Sequence, residues 1–228
     1  MKSLSHLFSL FYPEVCICCS TPLLDQEKLI CLSCRFDLPF VDNGDYRNNL
    51  TTKIFMGRVR LEKAASFLYY HQTGKTKQLI HELKYRGNQE IGILIANWFG
   101  SQLTKSKNFK SFDCIIPVPL HQKKLKKRGY NQLTTFGKRL GELLQIDYRE
   151  DLLQRVSFTN TQTKKRRLDR FQNTNSKFVL EDLITLQDKH ILLIDDVVTT
   201  GATLEACCNE LLKTNGIKIS IATMAITE

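Results

Sequence analysis

The sequence predicts an α/β protein in which a parallel sheet flanked by helices is preceded by a small four-cysteine module. Three observations carry this. Ile191, Leu192, Leu193 and Ile194 form a continuous apolar run, which suits a strand covered on both faces of a parallel sheet better than a half-wet, alternating strand. From residue 64 to residue 226, apolar strand-like runs alternate with stretches of helical periodicity, the order expected of βα units. Two Cys-x2-Cys pairs stand ahead of that alternation. The expected division is residues 1–45 for the cysteine module with an N-terminal helix, and 60–228 for the α/β domain.

At 228 residues the chain can bury a full core and still carry a small extra module. Hydrophobic content of 42% and charged content of 25% exclude a chain dominated by disorder. The net charge of +10, with a pI near 9.2, makes anions the natural ligands. The longest apolar run, around residues 91–99, is too short and too interrupted to span a bilayer, and no uninterrupted apolar leader followed by small residues opens the chain. A cytoplasmic protein with no transmembrane segment is therefore expected.

Taken in order, Leu4, Leu7, Phe8 and Phe11 recur at helical spacing and predict a short amphipathic helix. Cys16 and Cys19 are followed, after eleven intervening residues, by Cys31 and Cys34. Two such pairs supply four thiolates to a tetrahedral Zn²⁺, a closed and hence structural site, with Cys18 left as a spare thiol. Residues 42–60, rich in Asn and Gly, read as a linker. Residues 64–71 read as a strand, 76–83 as a helix, then Lys84-Tyr85-Arg86-Gly87 as a basic turn. A core-facing helix over 89–104 follows from Ile91, Leu94, Ile95, Trp98 and Leu103. A second buried strand, 114–118, is stopped by Pro117 and Pro119. Between 120 and 132 the chain reads as a turn carrying Lys123, Lys124, Lys126, Lys127 and Arg128, whose mutual repulsion calls for an anion nearby. Tyr130, Leu133, Gly137, Leu140 and Leu144 mark one face of the next helix. Residues 155–177 offer few apolar anchors and read as a segment that closes over a ligand. A last strand covers 217–226.

The chemistry concentrates after the Ile191–Ile194 run. Asp195 and Asp196 end that strand, Thr199, Thr200, Gly201, Ala202 and Thr203 form a turn, and Leu204, Cys207, Cys208, Leu211 and Leu212 return at helical spacing. A helix N-terminus presents unpaired N–H groups and the positive end of the macrodipole, so this turn suits a phosphate. Two carboxylates beside it suit hydroxyls or Mg²⁺ instead. Phosphate beside diol and metal describes a phosphorylated sugar. Neither the P-loop Gly-Lys-Ser/Thr nor the dinucleotide G-x-G-x-x-G spacing is present in this stretch. The bland alternative is a strand, loop and helix with a capping threonine.

This motif resembles the 5-phosphoribosyl-1-diphosphate (PRPP) signature of type I phosphoribosyltransferases. The resemblance implies that Asp195 and Asp196 contact the ribose hydroxyls and that residues 199–203 hold the 5′-phosphate. Joined to the four cysteines, to Lys84-Tyr85-Arg86-Gly87, to Pro117-Val118-Pro119-Leu120-His121, to Arg128-Gly129-Tyr130-Asn131-Gln132, and to Arg155, Thr161-Gln162 and Arg170-x-x-Asn173, it makes the chain similar to the ComF family, in its ComFC branch, over nearly the whole length. Lys165 departs from the family, where an apolar residue is usual. The implied fold is a type I phosphoribosyltransferase-like sheet. Pro119, Leu120 and His121 would lie where related transferases hold pyrophosphate, and Arg155, Gln162, Arg166 and Arg170 would belong to the flexible loop. The implied ligands are PRPP or a related phosphorylated ribose with Mg²⁺, and the implied setting is DNA uptake during natural transformation of bacteria. Two uses of the basic tract stay open: it serves PRPP alone, or it also binds single-stranded DNA or a competence helicase. Catalysis by phosphoribosyl transfer and ligand sensing without turnover likewise stay open, and no catalytic base or acceptor is identified.

Overall fold

The structure, a computed structural model, describes residues 13–156, 178–181 and 184–228. The expected N-terminal helix and, in the expected closing segment, Thr161, Gln162, Lys165, Arg166, Arg170 and Asn173 lie outside these residues. The cysteine module contains α1 (Leu32–Phe36) and leads to α2 (Leu50–Phe55), β1 (Lys63–Tyr69), α3 (Lys75–Tyr85), α4 (Glu90–Lys105) and β2 (Cys114–Pro117). There follow α5 (Gln122–Arg128), α6 (Thr134–Leu144), β3 (Asp147–Tyr148), β4 (Leu153–Arg155), β5 (Phe178–Leu180), β6 (His190–Val198), α7 (Ala202–Leu211) and β7 (Lys218–Ile226).

Five strands form the main sheet in the order β1-β7-β6-β2-β3, and every pair is parallel. β4 and β5 form a separate antiparallel pair. The apolar run on β6 is fully buried because β7 and β2 cover its sides and helices cover its faces, as a parallel sheet requires. Along β7, only Lys218 escapes burial. Helices α4 and α6 approach closely through glycines: a Cβ on Gly92 would stand 2.4 Å from Thr135 Oγ1, and one on Gly100 would stand 2.6 Å from Leu143 Cδ1. Thr135 Oγ1 donates to the Gln89 carbonyl at 2.9 Å across the same contact.

Residues 42–60 are docked structure rather than a linker. Asn43 exchanges two hydrogen bonds with the Ser66 backbone, each 2.9 Å, so its amide acts as a peptide unit paired to β1. Asn49 caps α2 in a reciprocal pair with Thr52, and its amide donates to the Ala64 carbonyl at 2.7 Å. Thr51, Ser66 and Thr223 then form a buried hydroxyl chain at 2.8 and 2.7 Å. Asparagines that suit a turn by composition here satisfy backbone groups of β1.

The basic tract is also helical where a turn was expected. His121 Nδ1 accepts from the Lys123 N–H at 3.1 Å at one end of α5, and Gly129, at φ +82°, closes the other by donating to the Leu125 carbonyl at 2.7 Å. Lys126, Lys127 and Arg128 sit in the last turn, where the macrodipole favours cations. The next helix starts at Thr134, so Tyr130 precedes it instead of lying on its face.

Candidate functional site

The site forms where β2 leaves β6. Pairing between them runs to Pro117 opposite Ile194, with the Val118 N–H donating to the Ile194 carbonyl at 2.9 Å. β6 does not stop at its carboxylates: it continues to Val198, paired with β7 alone. Asp195 and Asp196 thus stand at a crevice that opens as β2 turns through Pro119, Leu120 and His121 into α5, a position where open α/β sheets bind ligands.

Asp196 is buried at 6% exposure and fully engaged. Lys84 Nζ lies 2.8 Å from its Oδ1, and Gln132 Nε2 donates to its Oδ2. The Gln132 carbonyl oxygen in turn accepts from Arg128, whose guanidinium lies 5.4 Å from the centre of the Tyr85 ring. The Tyr130 hydroxyl donates to the Leu83 carbonyl and pins the same loop to α3. Asp195 is half-buried, and its Oδ1 accepts the Asp196 N–H at 2.8 Å. Burial, with the Asp196 charge adding to it, pushes the Asp195 carboxyl up to about 8.

The turn after β6 leaves Thr199, Thr200, Ala202 and Thr203 exposed around a buried Gly201. The N-cap of α7 is Gly201, which offers no side-chain cap, so among the described residues the first N–H groups of the helix are left toward the turn without one. Gly201 adopts φ +74°, and a Cβ there would meet Ile54 Cγ2 and Phe55 Cε1 at 2.8 Å each. Arg58 fixes the turn from outside: its Nη1 donates to the Thr200 carbonyl at 2.6 Å and to the Ile54 carbonyl at 3.1 Å, while its Nε and Nη2 hold Glu205.

The sequence-derived candidates therefore divide. Asp195, Asp196, residues 199–203 and Pro119, Leu120 and His121 occupy neighbouring strand ends. Lys123, Lys124, Lys126 and Lys127 are exposed on α5, and Arg128 turns inward to Gln132. Arg155 closes β4, its guanidinium 5.4 Å from the Phe178 ring centre. Lys84, Gln132 and Arg58 were missing from the expected site. The first two belong to short motifs already noted in the sequence. Arg58, in a stretch that reads as a linker, carries no such signal.

A second centre lies in the cysteine module. The sulfurs of Cys16, Cys19, Cys31 and Cys34 all fall within 4.8 Å of one another. Zn–S bonds of about 2.3 Å give a tetrahedron with S–S edges of about 3.8 Å, and Cys19 and Cys31 are 3.7 Å apart. Backbone N–H groups of Cys18 and Cys31 point at Cys16 Sγ at 3.4 and 3.3 Å, and that of Cys34 at Cys31 Sγ at 3.4 Å, the polarity that thiolate ligands need. Cys18 is turned away: its sulfur is 4.0 Å from the Lys75 carbonyl, and burial pushes its thiol up to about 12. The module docks on the α/β part through Asp37 with Lys75 at 2.6 Å and Arg35 stacked 4.6 Å from the Trp98 ring centre.

Residues 136–227 match the phosphoribosyl transferase domain family. The DNA utilization protein YhgH of Escherichia coli O157:H7 is 28% identical over 146 residues, which is 63% of this chain and 63% of that protein. Competence protein F of Haemophilus influenzae is 33% identical over 115 residues, half of each chain. Competence protein ComFC of Bacillus subtilis is 28% identical over 209 residues, covering 84% of this chain and 81% of its own. Among the described residues, no helix is long and apolar enough to cross a membrane. The chain thus carries a phosphoribosyl transferase domain over residues 136–227, and it is similar to proteins named for competence and DNA utilization, spanning under two thirds of the length of the DNA utilization protein it matches.

Proposed function

We propose that this chain binds PRPP with Mg²⁺ at the β6 site and acts in the cytoplasm on DNA taken up during natural transformation. The carrying observation is the juxtaposition of the acidic pair with an uncapped helix N-terminus, beside the Pro119–Leu120–His121 turn of the neighbouring strand. In this assignment the free N–H groups of α7 and the hydroxyls of Thr199, Thr200 and Thr203 take the 5′-phosphate, and Asp195 and Asp196 take the ribose hydroxyls. The pyrophosphate faces the Pro119, Leu120 and His121 turn. Two carboxylates suit a hard divalent cation, which in phosphoribosyl transfer would offset charge on the departing pyrophosphate. Lys84 and Arg128, close by, would add to that field. Zn²⁺ at Cys16, Cys19, Cys31 and Cys34 is proposed as structural, since four protein thiolates leave no open position.

Calorimetric titration of PRPP with Mg²⁺ tests the assignment. The parent protein is expected to bind, and both Asp195→Asn and Asp196→Asn to bind at least tenfold more weakly while still melting cooperatively. Unchanged affinity in both variants would overturn it. Release of pyrophosphate separates turnover from binding alone.

A second component of the reading, contact with single-stranded DNA, is favoured by α5. That helix buries none of its residues, so its four lysines form a cationic surface outside the crevice. The names of the relatives, which speak of DNA utilization and competence, agree with this use.

A further inference from the structure

The basic helix and the ribose-facing carboxylate are joined by one amide. Arg128, last residue of α5, donates to Gln132 Oε1, and the Nε2 of the same amide donates to Asp196 Oδ2. Gln132 is buried at 6% exposure, so neither end of its amide has water to substitute for a lost partner. A donor polarises the amide it binds, which strengthens that amide's own donation onward. The other oxygen of Asp196 is taken by Lys84 at 2.8 Å. With both oxygens engaged by donors, Asp196 meets a sugar hydroxyl or a metal only in competition with them.

We infer that Gln132 couples the two surfaces: phosphates bound along α5 draw the Arg128 guanidinium off Gln132, weaken that amide's hold on Asp196, and free the carboxylate for ribose and Mg²⁺. The inference rests on the assignment of PRPP to the β6 site. Arg128 suits the switch because its guanidinium has two competing uses within reach, as a donor to Gln132 and as the end of a cationic row formed by Lys123, Lys124, Lys126 and Lys127. Coupling is reciprocal, so PRPP raises the affinity of α5 for the polyanion by the same factor.

The test measures PRPP affinity with Mg²⁺ in the absence and presence of saturating oligothymidylate, and oligothymidylate affinity with and without PRPP. The parent protein is expected to show the same gain in both directions, about fivefold or more. Gln132→Leu keeps the volume and removes both hydrogen bonds. Arg128→Ala leaves the buried amide in place and is the safer variant for folding. In each, the gain is expected to fall to less than twofold while both ligands still bind. Independent binding of the two ligands to the parent protein, or full coupling in Arg128→Ala, overturns the inference. Failure of the parent protein to bind PRPP at all defeats the underlying ribose-site assignment as well, and is told apart by the first titration alone.

Discussion

Lys84 Nζ lies 2.8 Å from Asp196 Oδ1, across 112 positions of sequence, and draws the C-terminal end of α3 over the carboxyl ends of the central strands. Because Asp196 is buried, removing its cation leaves a carboxylate whose remaining side-chain donor, among the described residues, is Gln132. Lys84→Met is expected to cost about 1–3 kcal/mol. The loss should be non-additive with Asp196→Asn, the double variant melting no lower than the worse single one. Thermal melts of the four proteins in parallel measure this, and simple additivity would contradict the pairing.

The raised carboxyl of Asp195 has a consequence for pH. The folded chain keeps a proton there in the range between an ordinary carboxyl, 3.8, and about 8, where the unfolded chain has released it. Folded stability therefore declines as pH rises through that window. Asp195→Asn is expected to flatten the decline, raising the melting temperature at pH 8 relative to the parent by about 3 °C or more and leaving it unchanged near pH 4. If ionised Asp195 is the form that takes Mg²⁺, PRPP affinity in the parent should climb with pH toward 8.

Gly201→Ala is expected to destabilise the protein by about 1–3 kcal/mol even without ligand. A Cβ at φ +74° would collide with Ile54 and Phe55 of α2, which pack against the turn. Phe55→Leu in the same chain should recover part of the loss, and a melt of the double variant decides.

Purified protein is expected to carry about one zinc per chain. Cys18→Ser should keep it, because that sulfur faces Lys75, whereas Cys16→Ser with Cys31→Ser should lose it. Elemental analysis reads both. Loss of metal from Cys18→Ser would place the wrong thiol in the shell.

Salt dependence checks the α5 surface. Replacing Lys123, Lys124 and Lys126 by Glu is expected to lower the slope of log affinity for oligothymidylate against log salt by about one unit per lysine removed. An unaltered slope and affinity would take DNA off this helix.

Much of the architecture follows from local pattern. The β6 run, the glycine turn and α7 are legible because a buried parallel strand and a helix N-terminus each impose composition on contiguous residues. The cysteine cluster is legible because metal-ligand spacing is also local. Three features were not, for physical reasons. Asn43 and Asn49 suit a loop by propensity, and only their partners Ser66 and Ala64, distant in sequence, show that they serve β1. The lysine-rich tract reads as a turn, yet His121 and Gly129 cap its two ends as a short helix, and residues 122–127 stay exposed, so no apolar stripe marks it. Lys84, Gln132 and Arg58 act through contacts made only when separate elements converge, which periodicity does not register.

The module that carries the cysteines also changes what the sheet presents to other chains. Residues 39–41 run antiparallel along β1: the Tyr69 N–H donates to the Pro39 carbonyl, Phe40 pairs with Leu68, and the Val41 N–H donates to the Phe67 carbonyl. Together with Asn43 on Ser66 and Asn49 on Ala64, that strap covers the outer edge of β1 along its five buried residues, Ala64, Ala65, Ser66, Phe67 and Leu68, the kind of edge that recruits a second copy when its backbone groups are unpaired. Zinc at the four sulfurs is expected to hold this module, and with it residues 39–41, against the sheet edge. A chelator that strips it should reveal itself in light scattering as growing particles.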